Sequence, residues 1–224
     1  RALRVGRKAL RQNGIRTRHY ALDADGRPLF TNAEMAASAA RQALDAADLG
    51  PGEVDMIAAA SSAGDMIAPG LGSAVHGELG GGPAEVASFT SFCASGMMAL
   101  KAAVANVASR GAERAVVCAS EFASRFLREG YMAGAARDLS SEFLRWMLSD
   151  GAGAAVLESA PKPRGLSLKV DWIDIRSYAD RMPFCMTGGG IKGAEGAWTP
   201  WSNAPTLSDA VAGGAFHLRQ DLKL

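Results

Sequence analysis

Residues 85–109 read EVASFTSFCASGMMALKAAVANVAS, and this stretch decides the fold. Its first part, Glu85 to Thr90, follows the turn-forming run Gly80-Gly81-Gly82-Pro83 and reads as a strand. From Ala94 to Ser109, Met97, Leu100, Val104 and Val107 recur at helical spacing, which predicts a helix that Gly111 ends. Cys93 therefore stands where a strand turns into a helix.

The same alternation continues on both sides. Upstream, Thr31 and Glu34 have capping-box spacing, an alanine-rich helix runs to Asp48, and Gly50-Pro51 stops it. Val54 to Ala60 reads as a short buried strand of a parallel sheet covered on both faces, and Pro69 starts a second helix that ends before Gly80. Downstream, Ala115 to Ala119 predicts a strand. Asp150-Gly151-Ala152-Gly153 opens another through Leu157, and a longer one is expected from Leu166 to about Tyr178. The basic first 20 residues read as irregular, leading to a polar turn at Asp25-Gly26-Arg27-Pro28. Glu121 to Ser149, with Phe122, Phe126, Tyr131, Phe143 and Trp146, predicts two short helices around a loop at Gly134, packed in the core and at a subunit interface. A glycine-rich loop region and a helix after Thr206 complete the chain. With no internal repeat or linker, residues 1–224 are read as one continuous α/β domain.

Composition narrows the function. The 24 basic residues nearly balance the 23 acidic ones, so no strong field draws in nucleic acid or an anionic membrane. No apolar run approaches the roughly 20 residues of a membrane-spanning helix, and RALRVGRKAL lacks the features of a signal peptide, so a cytoplasmic protein is expected. Cys93, Cys118 and Cys185 are odd in number and lack metal-type spacing, which argues against a disulfide framework or zinc, and no bound cofactor is expected.

A cysteine at a strand-to-helix turn has a physical reason to react. The unpaired N–H groups at the helix start favour a thiolate and can also donate to the oxyanion that forms when a thioester is attacked. A lone cysteine can equally be a small buried apolar residue, the reading given to Cys118; Cys185 stays open.

The segment Ser91-Phe92-Cys93-Ala94-Ser95-Gly96-Met97-Met98-Ala99-Leu100 resembles the active-site elbow of β-ketoacyl-acyl-carrier-protein synthase III and its relatives. Ser149-Asp150-Gly151-Ala152-Gly153-Ala154-Ala155-Val156-Leu157 resembles that family's Gly-Asp-Gly-Ala-Gly strand entry, and Asn13-Gly14-Ile15-Arg16-Thr17-Arg18-His19 its Thr-Gly-Ile-Arg motif. The three stand in the family's order. The resemblance implies a thiolase-like αβαβα layered fold, with the N-terminal half at about residues 1–160 and the start of the C-terminal half at about 161–224. It implies an acyltransferase that runs a Claisen condensation through an acyl-Cys93 thioester in fatty acid or secondary-metabolite biosynthesis. Acyl coenzyme A or acyl carrier protein would be the substrates, and the working form a homodimer.

The family's catalytic histidine and asparagine come from its second half. None of His19, His76 and His217 matches that histidine; His217 is placed in the last helix, which precedes it in the family. The chain thus reads as a fragment, truncated at both ends. The family's pocket-floor phenylalanine, contributed across the dimer, corresponds to Ile67 or Ala68 here, which implies a longer acyl chain. Gln12, with Arg11 beside it, replaces a coenzyme A-holding arginine, and Glu142 and Arg145 occupy the vicinity of another. These departures favour a carrier-bound donor and resemble the dialkylresorcinol-forming condensing enzymes. Two rivals remain: a non-catalytic thiolase-fold partner subunit, and a cysteine hydrolase, whose elbow would need glycine where Ser91 and Ser95 stand.

Overall fold

The computed structural model describes residues 2–128, 139–193 and 197–220. They fall into two compact units that interleave along the chain: Leu29–Phe122 with Gly151–Arg176, and Arg1–Pro28 with Ala123–Asp150 and Ser177–Leu224.

The first unit is built on a four-stranded sheet. Its strands are β1 (Met56–Ser61), β2 (Glu85–Thr90), β3 (Arg114–Glu121) and β4 (Gly151–Glu158), in the order β2-β1-β3-β4. β2 and β3 both run parallel to β1, and β4 runs antiparallel to β3. Every residue of β1 is buried, as a central strand covered on both faces requires.

Helices close both faces. Ile57 and Ala59 of β1 pack with α2 (Asn32–Ala46) and α3 (Leu71–Leu79), while Met56, Ala58 and Ala60 pack against α4 (Ser95–Ala108). Ala33, Ala36, Ala37, Ala40 and Leu44 form the buried stripe of α2, their spacing following the 3.6-residue turn. Small side chains let this helix lie close on the sheet. Its start is the expected capping box: the Thr31 hydroxyl accepts from the Glu34 N–H, and the Glu34 carboxylate accepts from the Thr31 N–H.

The second unit holds α1 (Ala2–Gln12), α5 (Leu139–Met147), α6 (Leu207–Ala212) and two short antiparallel ladders. The ladders pair β5 (Met186–Thr187) with β8 (Arg219–Gln220), and β6 (Gly190–Lys192) with β7 (Trp198–Pro200). Helix α6 follows Thr206 as expected, and the Thr206 hydroxyl caps it by accepting from the Asp209 N–H.

Three expectations are corrected. The N-terminal residues are helical rather than irregular, because α1 packs against α5; a Cβ on Gly6 would lie 2.7 Å from the Trp146 ring. Residues 166–178 form no strand among the described residues. Leu166 and Leu168 are 84% exposed and Trp172 80%, so the alternating pattern is present but no neighbouring strand supplies a ladder. His217 lies beyond α6, buried after the turn at residues 213–216. The loop at Gly134 and Tyr131 falls outside the described residues. Among the described residues no helix is long and apolar enough to cross a membrane.

Candidate active site

Strand β2 ends at Thr90 and α4 begins at Ser95, so Cys93 occupies the strand-to-helix elbow in the sheet unit. The elbow closes on itself. The Ser95 N–H and hydroxyl both donate to the Phe92 carbonyl, at 3.1 and 3.0 Å, which buries Ser95 and leaves Cys93 exposed. No side chain caps α4, whose N-cap is Ala94, so its first turn presents backbone N–H groups to whatever occupies the elbow. Gly96 lets this end of the helix approach the sheet; a Cβ there would stand 3.4 Å from that of Ala119.

Cys118 is a different cysteine. It lies wholly buried in β3, and burial pushes its thiol up to about 12. At pH 8 only about one molecule in ten thousand would carry the thiolate. Alkylation of the folded protein at that pH should therefore modify Cys93 and reach Cys118 only after unfolding, as peptide mass mapping would show; native labelling of Cys118 would contradict this. Above pH 9 the unfolded chain loses the Cys118 proton while the fold keeps it, so the contribution to stability is complete below pH 9 and fades as pH rises toward 12. Cys185, in the other unit, is exposed.

Ile67 and Ala68 lie in the loop joining β1 to α3. The register pairs Ser61 with Thr90, so this loop and the Cys93 elbow both leave the carboxyl ends of adjacent parallel strands. Binding residues of open α/β sheets collect at that edge. Ile67 is 89% exposed, and Met66, Ala68 and Pro69 are exposed beside it.

In the second unit the two flanking motifs meet. The Asp150 carboxylate accepts from the Ala21 N–H at 2.7 Å, the Ser124 N–H at 2.8 Å and the Ser124 hydroxyl. The Asp150 N–H donates to the His19 carbonyl at 2.8 Å, and the His19 N–H donates to the Ser149 hydroxyl. Arg18 donates to the Trp146 carbonyl. A depression of about 560 Å³ in this unit is lined by Tyr20, Leu22, Ser124, Leu127, Arg128 and Arg145. Among the described residues no cluster of histidine, cysteine, aspartate and glutamate has the arrangement to hold a metal ion.

Sequence reading missed a polar group at the sheet's carboxyl edge: Asn32, Ser61 and Ser120, buried, with Asp65 and Glu121 half-buried beside them. One signal was available, a polar Asn32 at the start of an otherwise alanine-lined helix face.

Residues 88–174 match the family model of 3-oxoacyl-[acyl-carrier-protein (ACP)] synthase III. The β-ketoacyl-[acyl-carrier-protein] synthase III of Neisseria meningitidis serogroup C is 36% identical over 155 residues, covering 68% of this chain and 43% of that protein. Among solved structures, the tetronic acid condensing enzyme AbyA1 superposes with a TM-score of 0.59 at 29% identity, covering 71% of this chain and 48% of that one. The 3-oxoacyl-[acyl-carrier-protein] synthase III of Aquifex aeolicus superposes at 0.55 with 25% identity, covering 66% and 43%. The sheet with helices on both faces is that of the thiolase superfamily of condensing enzymes. Within it the chain is β-ketoacyl-acyl-carrier-protein synthase III-like. It spans less than half the length of each of these three relatives.

Proposed function

We propose that the whole protein is an acyltransferase that condenses two acyl thioesters, with Cys93 as the acyl acceptor. The observation that carries this is an exposed cysteine at the uncapped start of α4, on the carboxyl edge of the sheet. The Cys93 thiolate attacks the donor's carbonyl carbon, and the first-turn N–H groups of α4 stabilise the oxyanion. Collapse expels the donor's thiolate, which takes up a proton and leaves acyl-Cys93. A carbanion formed on a second, carrier-bound thioester then attacks acyl-Cys93, forms the carbon-carbon bond and releases the Cys93 thiolate. Incubation of the full-length protein with acyl thioesters should add the mass of one acyl group per chain; no adduct with any donor would overturn the proposal.

The proposed partners are acyl carrier protein, which the relatives' names carry, and a second copy of this chain. Acyl coenzyme A is an alternative donor. The outer edge of β2 supports the homodimer: this strand ends the sheet with Val86, Ala87 and Phe89 only half buried.

In the same reading Ile67 and Ala68 line the acyl pocket. Ile67→Phe and Ala68→Phe should shift preference toward shorter acyl donors by about tenfold in relative kcat/KM. An unchanged chain-length profile for both would remove this loop from the pocket.

A further inference from the structure

The loop from Ser62 to Gly70 combines an apolar tip with a base fastened from three directions. Asp65 lies across the start of α2: its two carboxylate oxygens accept from the Asn32 and Ala33 N–H groups, each at 2.9 Å. With the Thr31 hydroxyl on the Glu34 N–H, the first three amides of α2 are satisfied, two of them by a residue more than 30 positions away. A carboxylate there also meets the positive end of the helix.

Asn32, fully buried, continues the anchor. Its amide donates to the Ser61 hydroxyl at 2.8 Å and the Ala63 carbonyl at 3.2 Å, and its oxygen accepts from the Ser120 hydroxyl at 2.6 Å. Glu121, at the end of β3, accepts from both the N–H and the hydroxyl of Ser62, at 2.6 and 2.8 Å. On the far side the Ser88 hydroxyl accepts from the Gly72 N–H at 2.9 Å, and Gly70 passes so close that a Cβ would lie 2.5 Å from that oxygen. The tip is left as Met66, Ile67, Ala68 and Pro69, all exposed.

An exposed isoleucine gains nothing from water, and a loop fastened this firmly cannot fold its tip inward to bury it. We propose that Asp65 and Glu121 are positioning residues that set acyl-length preference by fixing where Ile67 and Ala68 stand, which rests on the reading of those two residues as pocket lining. Neither carboxylate touches the reacting atoms; each acts through the tip.

The test compares full-length wild type with Asp65→Asn, Glu121→Ala and Ile67→Phe, using short, medium and long acyl groups as N-acetylcysteamine thioesters. Asn at position 65 keeps the size but leaves one oxygen for two amides, and Ala at 121 frees Ser62. Each anchor variant should lower the ratio of kcat/KM between best and worst donor by about tenfold, while acylation by the shortest donor stays within about twofold. Hydrogen exchange of the tip amides should rise in parallel. If every donor slows equally, the anchors serve stability alone and the proposal is overturned. If Ile67→Phe shifts the profile and neither anchor variant does, the proposal also falls while the pocket reading stands. If Ile67→Phe shifts nothing, the pocket reading fails and takes the proposal with it. Should Asp65→Asn not fold, Glu121→Ala, which leaves the start of α2 intact, decides the matter.

Discussion

Cys93→Ala is expected to abolish the acyl adduct and to lower condensation by about a thousandfold or more. The size of the effect follows from position. Cys93 is exposed, and the helix behind it is capped by no side chain, so the N–H groups that would stabilise an oxyanion remain after the substitution while the nucleophile is gone. The fold should be untouched, because the elbow closes through Ser95 and Phe92 and not through the thiol. Intact mass spectrometry of wild type and variant with the same donor reads this directly. An adduct of equal yield on the variant would move the nucleophile elsewhere. Cys118 is a poor candidate for that role, since its thiol stays protonated in the sheet.

The second large effect concerns stability. Asp150→Ala should destabilise the protein by about 3–5 kcal/mol, because two backbone amides and a hydroxyl lose their shared acceptor in a buried setting. Asp150→Asn should cost less, since the amide oxygen still accepts. The urea midpoint of the full-length protein measures both, with an unchanged m-value marking a change in stability rather than compactness. A shift below about 0.5 kcal/mol for Asp150→Ala would mean that water replaces the carboxylate at little cost. The result bears on the motif itself: here the aspartate of Ser149-Asp150-Gly151 joins the N-terminal motif through Ala21 and His19, a structural duty that needs no part in the chemistry.

Much of the sheet unit was legible because its signals are local. The capping box at Thr31, the buried run of β1 and the helical spacing of α4 each lie within a single element, and the structure reproduces them. The N-terminal helix was not legible. Gly6 interrupts it, and what compensates is the close approach of Trp146, 140 positions away in sequence. The expected strand at 166–178 failed for the converse reason: alternation makes a strand possible, but only a neighbour's hydrogen bonds make one.

The site divides in the same way. The amino-acid sequence by itself placed Cys93 at an elbow, since a strand signal and a helix signal flank it directly. It also placed Ile67 and Ala68 in a loop between two elements. Only the tertiary structure decided that this loop and the elbow share one edge of the sheet, that Cys118 is sealed inside it, and that Asp65 and Glu121 hold the loop's base. Parallel pairing of β1 with β2 joins residues about 30 positions apart, and no local pattern encodes which distant amide a carboxylate will find.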